Sequence, residues 1–151
     1  MPIPYGAGPA APPSLTTCNG STWIDHVVLN STVPIKAYNF AQVGACVDSV
    51  QCMWTAEKIS EKISFRDQVE AFAQSDLASG GHPVLEQPSW TDINAIFIIW
   101  FGINDVLWTV GAFAKDGSSV VDHILDSYME SVRKLRDGGA TRFVFIGIPR
   151  E

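Results

Sequence analysis

The stretch Ile93-Asn94-Ala95-Ile96-Phe97-Ile98-Ile99-Trp100-Phe101-Gly102-Ile103-Asn104-Asp105 decides how this chain is read. Ile93 to Phe101 is an almost unbroken apolar run of strand length, the pattern of a parallel strand covered on both faces. Gly102 to Asp105 then reads as a tight turn in which the Asn and Asp side chains cap themselves. A second apolar strand is expected over Thr141 to Ile148. Between the two, Ser118 or Ser119 is expected to cap the longest helix, after a Trp-bearing loop. Val121, Ile124, Leu125, Tyr128, Val132 and Leu135 form its stripe, and Gly138-Gly139 ends it.

Upstream, Ser64 opens a helix carrying Phe65, Val69, Phe72 and Ala73 at helical spacing, with Leu77 continuing the stripe to Gly80-Gly81. His82 to Trp90 is a loop with two prolines, and residues 47 to 64 mix loop and short helix. Ile35 to Phe40 reads as a strand ending in the small-residue turn at Val43-Gly44-Ala45. Before it, a short helix capped by Ser21 or Thr22 places Trp23, Val27 and Asn30 on one stripe and stops by Pro34. Residues 1 to 20 form an irregular arm rich in Pro and Gly, and 21 to 151 form one domain without internal repeats. The strand–helix alternation implies an α/β fold with a parallel sheet and helices on both faces.

The 46% hydrophobic and 17% charged content of the 151 residues is that of a globular domain able to bury a core. A net charge of −6, with scattered basic residues, argues against binding to nucleic-acid phosphates, so no nucleic-acid partner is expected. No apolar run reaches the roughly 18 to 20 residues of a membrane span. Cys18, Cys46 and Cys52 contain no Cys-x-x-Cys pair and give no zinc pattern. They leave open either one disulfide with a third Cys left over or buried free thiols. No metal, nucleotide or flavin motif calls for a cofactor. Asn19-Gly20-Ser21 and Asn30-Ser31-Thr32 have the N-glycosylation spacing, which points outward from the cell, although residues 1 to 14 carry no signal-peptide pattern.

Ligands of open α/β sheets gather beyond the carboxyl ends of the strands. Two segments fall there: Tyr38-Asn39-Phe40-Ala41-Gln42-Val43-Gly44-Ala45 and Gly102-Ile103-Asn104-Asp105. A glycine N–H together with an Asn amide is one recipe for holding the negative charge of an attacked carbonyl. Trp108 is a candidate platform for substrate. Trp100 fits either a groove or the core.

Taken with Trp23-Ile24-Asp25, Ser64-Phe65-Arg66-Asp67-Gln68-Val69 and the passage from Leu135 to Phe145, these segments resemble the GDSL/SGNH ester hydrolases, in particular their fungal acetylesterase-like branch among the carbohydrate esterases. The resemblance covers roughly residues 21 to 149. Val43 departs from it, standing where the family often has the first of two glycines. The resemblance implies a three-layer α/β/α sandwich with a flavodoxin-like sheet, a Ser nucleophile with a His base and an Asp, and Gly44 and Asn104 as oxyanion donors. It implies a small ester or acetylated carbohydrate as substrate, and secretion.

None of the triad is found here. No Gly-Asp-Ser, no Gly-x-Ser-x-Gly and no Asp-x-x-His occurs in the sequence. His26 and His123 fall on expected helices beside an Asp, and His82 lies in a loop without a serine partner. Asp105 is read as supporting the turn. The expectation is an incomplete domain that lacks its first strand and C-terminal part and is inactive alone. The alternative is a degenerate homologue that binds esters or carbohydrate without turnover.

Overall fold

The computed structural model describes residues 4–5, 20–49, 64–74 and 93–148, with the side chains of 4–5 and 108–118 left aside. The chain divides into two compact units, Met1–Val43 and Gly44–Glu151.

In the first unit, Thr22 is the N-cap of α1 (Trp23–Asn30). Asp25 reaches back one turn and accepts the Thr22 N–H at 2.6 Å, which supplies a partner to a backbone donor at the helix start. The helix ends four residues before Pro34, as its sequence requires. Trp23 and Val27 are both half exposed, so the expected stripe is not a buried seam. The expected strand over 35–40 is shorter and differently paired. β2 (Ala37–Tyr38) joins β1 (Pro4–Tyr5) in an antiparallel ribbon, with Pro4 opposite Tyr38 and Tyr5 opposite Ala37. The arm thus contains a strand where no periodicity announced one, because two residues are too few to show a period of two. β2 belongs to this ribbon and not to the parallel sheet in which the sequence had placed it.

The second unit carries the parallel sheet. Ser64 caps α2 (Phe65–Ala73) in a reciprocal box: its hydroxyl accepts the Asp67 N–H at 3.2 Å, and Asp67 accepts the Ser64 N–H at 3.1 Å. Gln74 closes the helix. Leu77, Gly80-Gly81 and the loop around His82 lie outside the described residues. β3 (Phe97–Ile99) and β4 (Phe143–Phe145) run parallel, with Phe97, Ile98 and Ile99 opposite Phe143, Val144 and Phe145. Bonds from Phe97 N–H to Arg142 C=O and from Ile146 N–H to Ile99 C=O, both 2.9 Å, extend the ladder at each end. The regular strands are shorter than the apolar runs because pairing, not hydrophobicity, sets where a strand stops.

Between them runs α3 (Ile103–Asp137), a single helix of 35 residues. This corrects two expectations. The Gly-Ile-Asn-Asp segment is the start of a helix, not a free-standing turn, and Ser118 and Ser119 lie inside the helix and do not cap it. Gly111 and Gly117 each cost about 1 kcal/mol in a helix interior, but no proline interrupts the run, so the helix passes through them.

The core joins α2, α3 and one face of the sheet. Phe65, Val69, Ile99, Leu135 and Ala140 are buried together, with Phe72, Phe97, Phe101, Tyr128, Val132 and Phe143 packed around them. Phe65 stacks on Phe101 at 4.7 Å, and Phe72 meets Phe97 edge-on at 5.5 Å. Tyr128 reaches both Phe65 and Phe145, so α2 and α3 cover the same face. On the other face Ile98 and Val144 are each 44% exposed. Among the described residues, helices therefore cover one face, where the sequence had suggested two. No described helix is long and apolar enough to cross a membrane.

Candidate functional site

The loop Gly44–Asp48 and the first turn of α3 form one structure. Gly44 and Gly102 both have left-handed backbones, φ 77° and 113°, which glycine adopts without a Cβ penalty. Gly102 is the N-cap of α3, and its C=O accepts the Val106 N–H at 2.9 Å as the first helical bond. Asn104 and Asp105 follow within that first turn and both turn toward the loop. The Asn104 amide donates to the Ala45 C=O at 2.9 Å. The Asp105 carboxylate accepts the Val47 N–H on both oxygens, at 2.9 and 3.1 Å.

The opposite edge of the loop serves α2. Its first N–H groups have no partner within their own helix. Phe65 N–H donates to Cys46 C=O at 2.8 Å and Arg66 N–H to Val47 C=O at 3.3 Å. The loop thus caps one helix with its carbonyls while the other helix fastens its amides and carbonyls with side chains. Ala45, Cys46, Val47 and Asp48 are all buried, as this double attachment demands. Cys46 is disulfide-bonded, which decides between the two cysteine readings for this residue; Cys18 and Cys52 lie outside the described residues.

Asp48 ends the loop as a buried carboxylate. It accepts the Ser127 hydroxyl at 3.3 Å, and Arg66 and His123 approach it at 3.6 and 3.9 Å. Ser, His and Asp here do not form a nucleophile–base relay. The Ser127 hydroxyl donates its hydrogen bond to Asp48, not to His123, and Ser127 is itself buried. The group neutralises a carboxylate. Burial raises the Asp105 pKa above the ordinary aspartate range; the Val47 N–H and its own backbone N–H oppose this, and the Asp48 charge adds to it. Among the described residues no buried side-chain polar atom lacks a partner, and no His/Cys/Asp/Glu group could hold a metal.

Gly44 and Asn104, the two residues singled out in the sequence, meet in this structure, since Asn104 bonds the residue after Gly44. The Trp108 side chain lies outside the described residues. Trp100 is half exposed and takes no part in the core. His26 and His123 are both exposed. Asp48, Ser127 and the Val47 N–H were not singled out. Asp48 sits in a stretch without periodicity, and nothing local ties it to a serine 79 positions away. A shallow cavity of about 90 Å³ lies elsewhere, between α2 and α3, lined by Arg66, Val69, Glu70, Glu130, Ser131 and Lys134.

No family model matches the chain, and no solved structure matches it. A curated acetylesterase from Thermothelomyces thermophilus is 29% identical over 143 residues, covering 91% of this chain and 42% of that protein. The chain thus spans less than half the length of the curated relative it matches. That similarity supports an acetylesterase-like family.

Proposed function

We propose that this chain is part of a GDSL/SGNH-type ester hydrolase that removes acyl groups from small esters, acetylated sugars among them. Gly44 N–H and the Asn104 amide act as the oxyanion donors, and Trp108 lines the substrate site. The observation that carries this reading is the bond from Asn104 to the loop of Gly44, which brings two donor-bearing residues from distant parts of the chain to one place. An Asn amide has two N–H groups, so bonding Ala45 with one leaves the other to meet a developing oxyanion. The two donors would then be fixed before the substrate arrives, which is how such a site lowers a barrier.

The nucleophile and its base are not among these 151 residues, which hold no Gly-Asp-Ser and no Asp-x-x-His. In this reading the chain alone gives no turnover above background, and the remaining strands of a three-layer sandwich come from sequence beyond it. The disulfide at Cys46 and the exposed Asn30 of the Asn30-Ser31-Thr32 triplet support a secreted, glycosylated protein. The negative charge supports a small ester over a nucleic acid as partner.

The test is hydrolysis of p-nitrophenyl acetate by the 151-residue chain, and by the same chain extended to carry any Gly-Asp-Ser and Asp-x-x-His encoded on either side. Turnover by the extended chain, blocked by a serine-directed phosphonate, is the expected result. Phosphonate-sensitive turnover by the 151 residues alone would show that the nucleophile lies within them. No turnover by either, with retained affinity for acetylated sugars, would favour a binding protein, a reading that the absence of triad residues also supports.

A further inference from the structure

We infer that Asp105 is a positioning residue for the oxyanion site, seating the Val47 N–H on its carboxylate so that the turn bearing Gly44 is held in register with the Asn104 amide. The inference rests on the hydrolase reading above and names a residue to which that reading gives no role.

Asn104 and Asp105 are consecutive on α3, yet they take different groups of the loop: one the Ala45 carbonyl, the other the Val47 amide. Two anchors two residues apart restrain the backbone on either side of Cys46 and so restrict the turn that leads out of Gly44. A single Asn bond would let that turn pivot. Asp105 is only 3% exposed, and both its oxygens accept the Val47 N–H besides the bond from its own backbone N–H, so a carboxylate is kept out of water where it grips that amide. A helix start does not require it, because exposed Asp or Ser would serve there equally. Among the described residues, the charge that bears on it is that of Asp48. Asp48 lies on the same loop, and Arg66 from α2 and His123 from α3 approach Asp48.

The experiment is a ¹⁵N NMR pH titration of this chain, with Asp105→Asn and Asp105→Ala. Gly44 N–H, Val47 N–H and the Asn104 amide should shift with one common midpoint, above the ordinary aspartate range. In Asp105→Asn that midpoint should vanish from all three, while Val47 keeps its slow hydrogen exchange because the new amide oxygen still accepts. In Asp105→Ala, Val47 exchange should quicken on the order of tenfold, and the Gly44 and Asn104 signals should move with it. Gly44 and Asn104 signals that ignore both the titration and Asp105→Ala would overturn the proposal, as would Asp105→Asn behaving like Asp105→Ala. No readout involves ester turnover, so an unreactive extended chain would count against the hydrolase reading and leave this one standing.

Discussion

Asp105 and Val47 lie 58 positions apart and are joined through both carboxylate oxygens to one amide, at 2.9 and 3.1 Å. The bond ties the start of the longest helix to a loop without secondary structure. That loop also gives the Cys46 and Val47 carbonyls to the first N–H groups of α2. The aromatic core that covers β3 and β4 includes Phe65, at the start of α2, stacked on Phe101, just before α3. The candidate site is therefore a junction of three elements, held by backbone bonds as much as by side chains.

The buried carboxylate carries a pH signature. With its pKa raised by burial, Asp105 keeps its proton to a higher pH in the folded chain than in the unfolded one, where the value is about 3.9. The stability it contributes is fully present below the unfolded value and is lost as pH rises through the folded one. Glu70 opposes this. Lys134 holds its pKa low, so its contribution is present above the unfolded value and is lost on acidification. The measurement is therefore a difference: urea unfolding of the native chain and of Asp105→Asn from pH 3 to 7. The native-minus-variant stability should fall as pH rises above about 4. A flat difference would contradict it.

Much of the second unit was legible in the sequence, and the reasons are physical. Phe65, Val69, Phe72 and Ala73 recur at helical spacing from Ser64 onward, so the start of α2 was visible. Phe97 to Ile99 and Phe143 to Phe145 are apolar through and through, so their strand character was visible too. The start of α3 was not. Asn-Asp after a glycine suits a turn and a helical first turn equally, and the choice depends on Val47 and Ala45, which receive those side chains. Asp48 was hidden for the same reason, since its partners Ser127, Arg66 and His123 come from two helices. β1 and β2 are too short for any periodic signal.

Asn104 should be sensitive to the identity of its amide. Asn104→Ala removes one hydrogen bond and leaves the Ala45 carbonyl to find water, at a cost of about 1 kcal/mol. Asn104→Asp sets a carboxylate oxygen against that carbonyl and adds a charge near buried Asp105, so it should cost more than alanine does. Chemical denaturation of both variants checks the order. An aspartate variant as stable as the alanine variant would mean that the amide nitrogen does not face Ala45.

Gly102 and Gly147 make a matched pair. At Gly102 the backbone has φ 113°, and an added Cβ would sit 2.9 Å from the Ile148 Cδ1. The methyl end can yield, but the backbone strain remains, so Gly102→Ala should cost about 1–3 kcal/mol. An added Cβ at Gly147 would meet nothing within 4 Å, so Gly147→Ala should be neutral or stabilise by a few tenths of a kcal/mol, ~0.4 at the low end of the usual gain. Thermal unfolding of the two variants separates conformational strain from a general intolerance of alanine near β4.

Ser127 tests whether the buried charge of Asp48 needs its hydroxyl. The Ser127 Oγ donates to Asp48 at 3.3 Å, while Arg66 and His123 stand farther off and are half exposed or more. Their attraction is softened by water and salt, whereas a buried hydroxyl is not. Ser127→Ala should therefore destabilise by about 1–1.5 kcal/mol, the lower end for a hydrogen bond to a charged group because the 3.3 Å contact is long. Arg66→Gln should cost less than about 1 kcal/mol and should matter least at high salt. If Arg66→Gln proved the more damaging of the two, the ion pair would be the anchor of Asp48, and the loop would depend on α2 more than on α3.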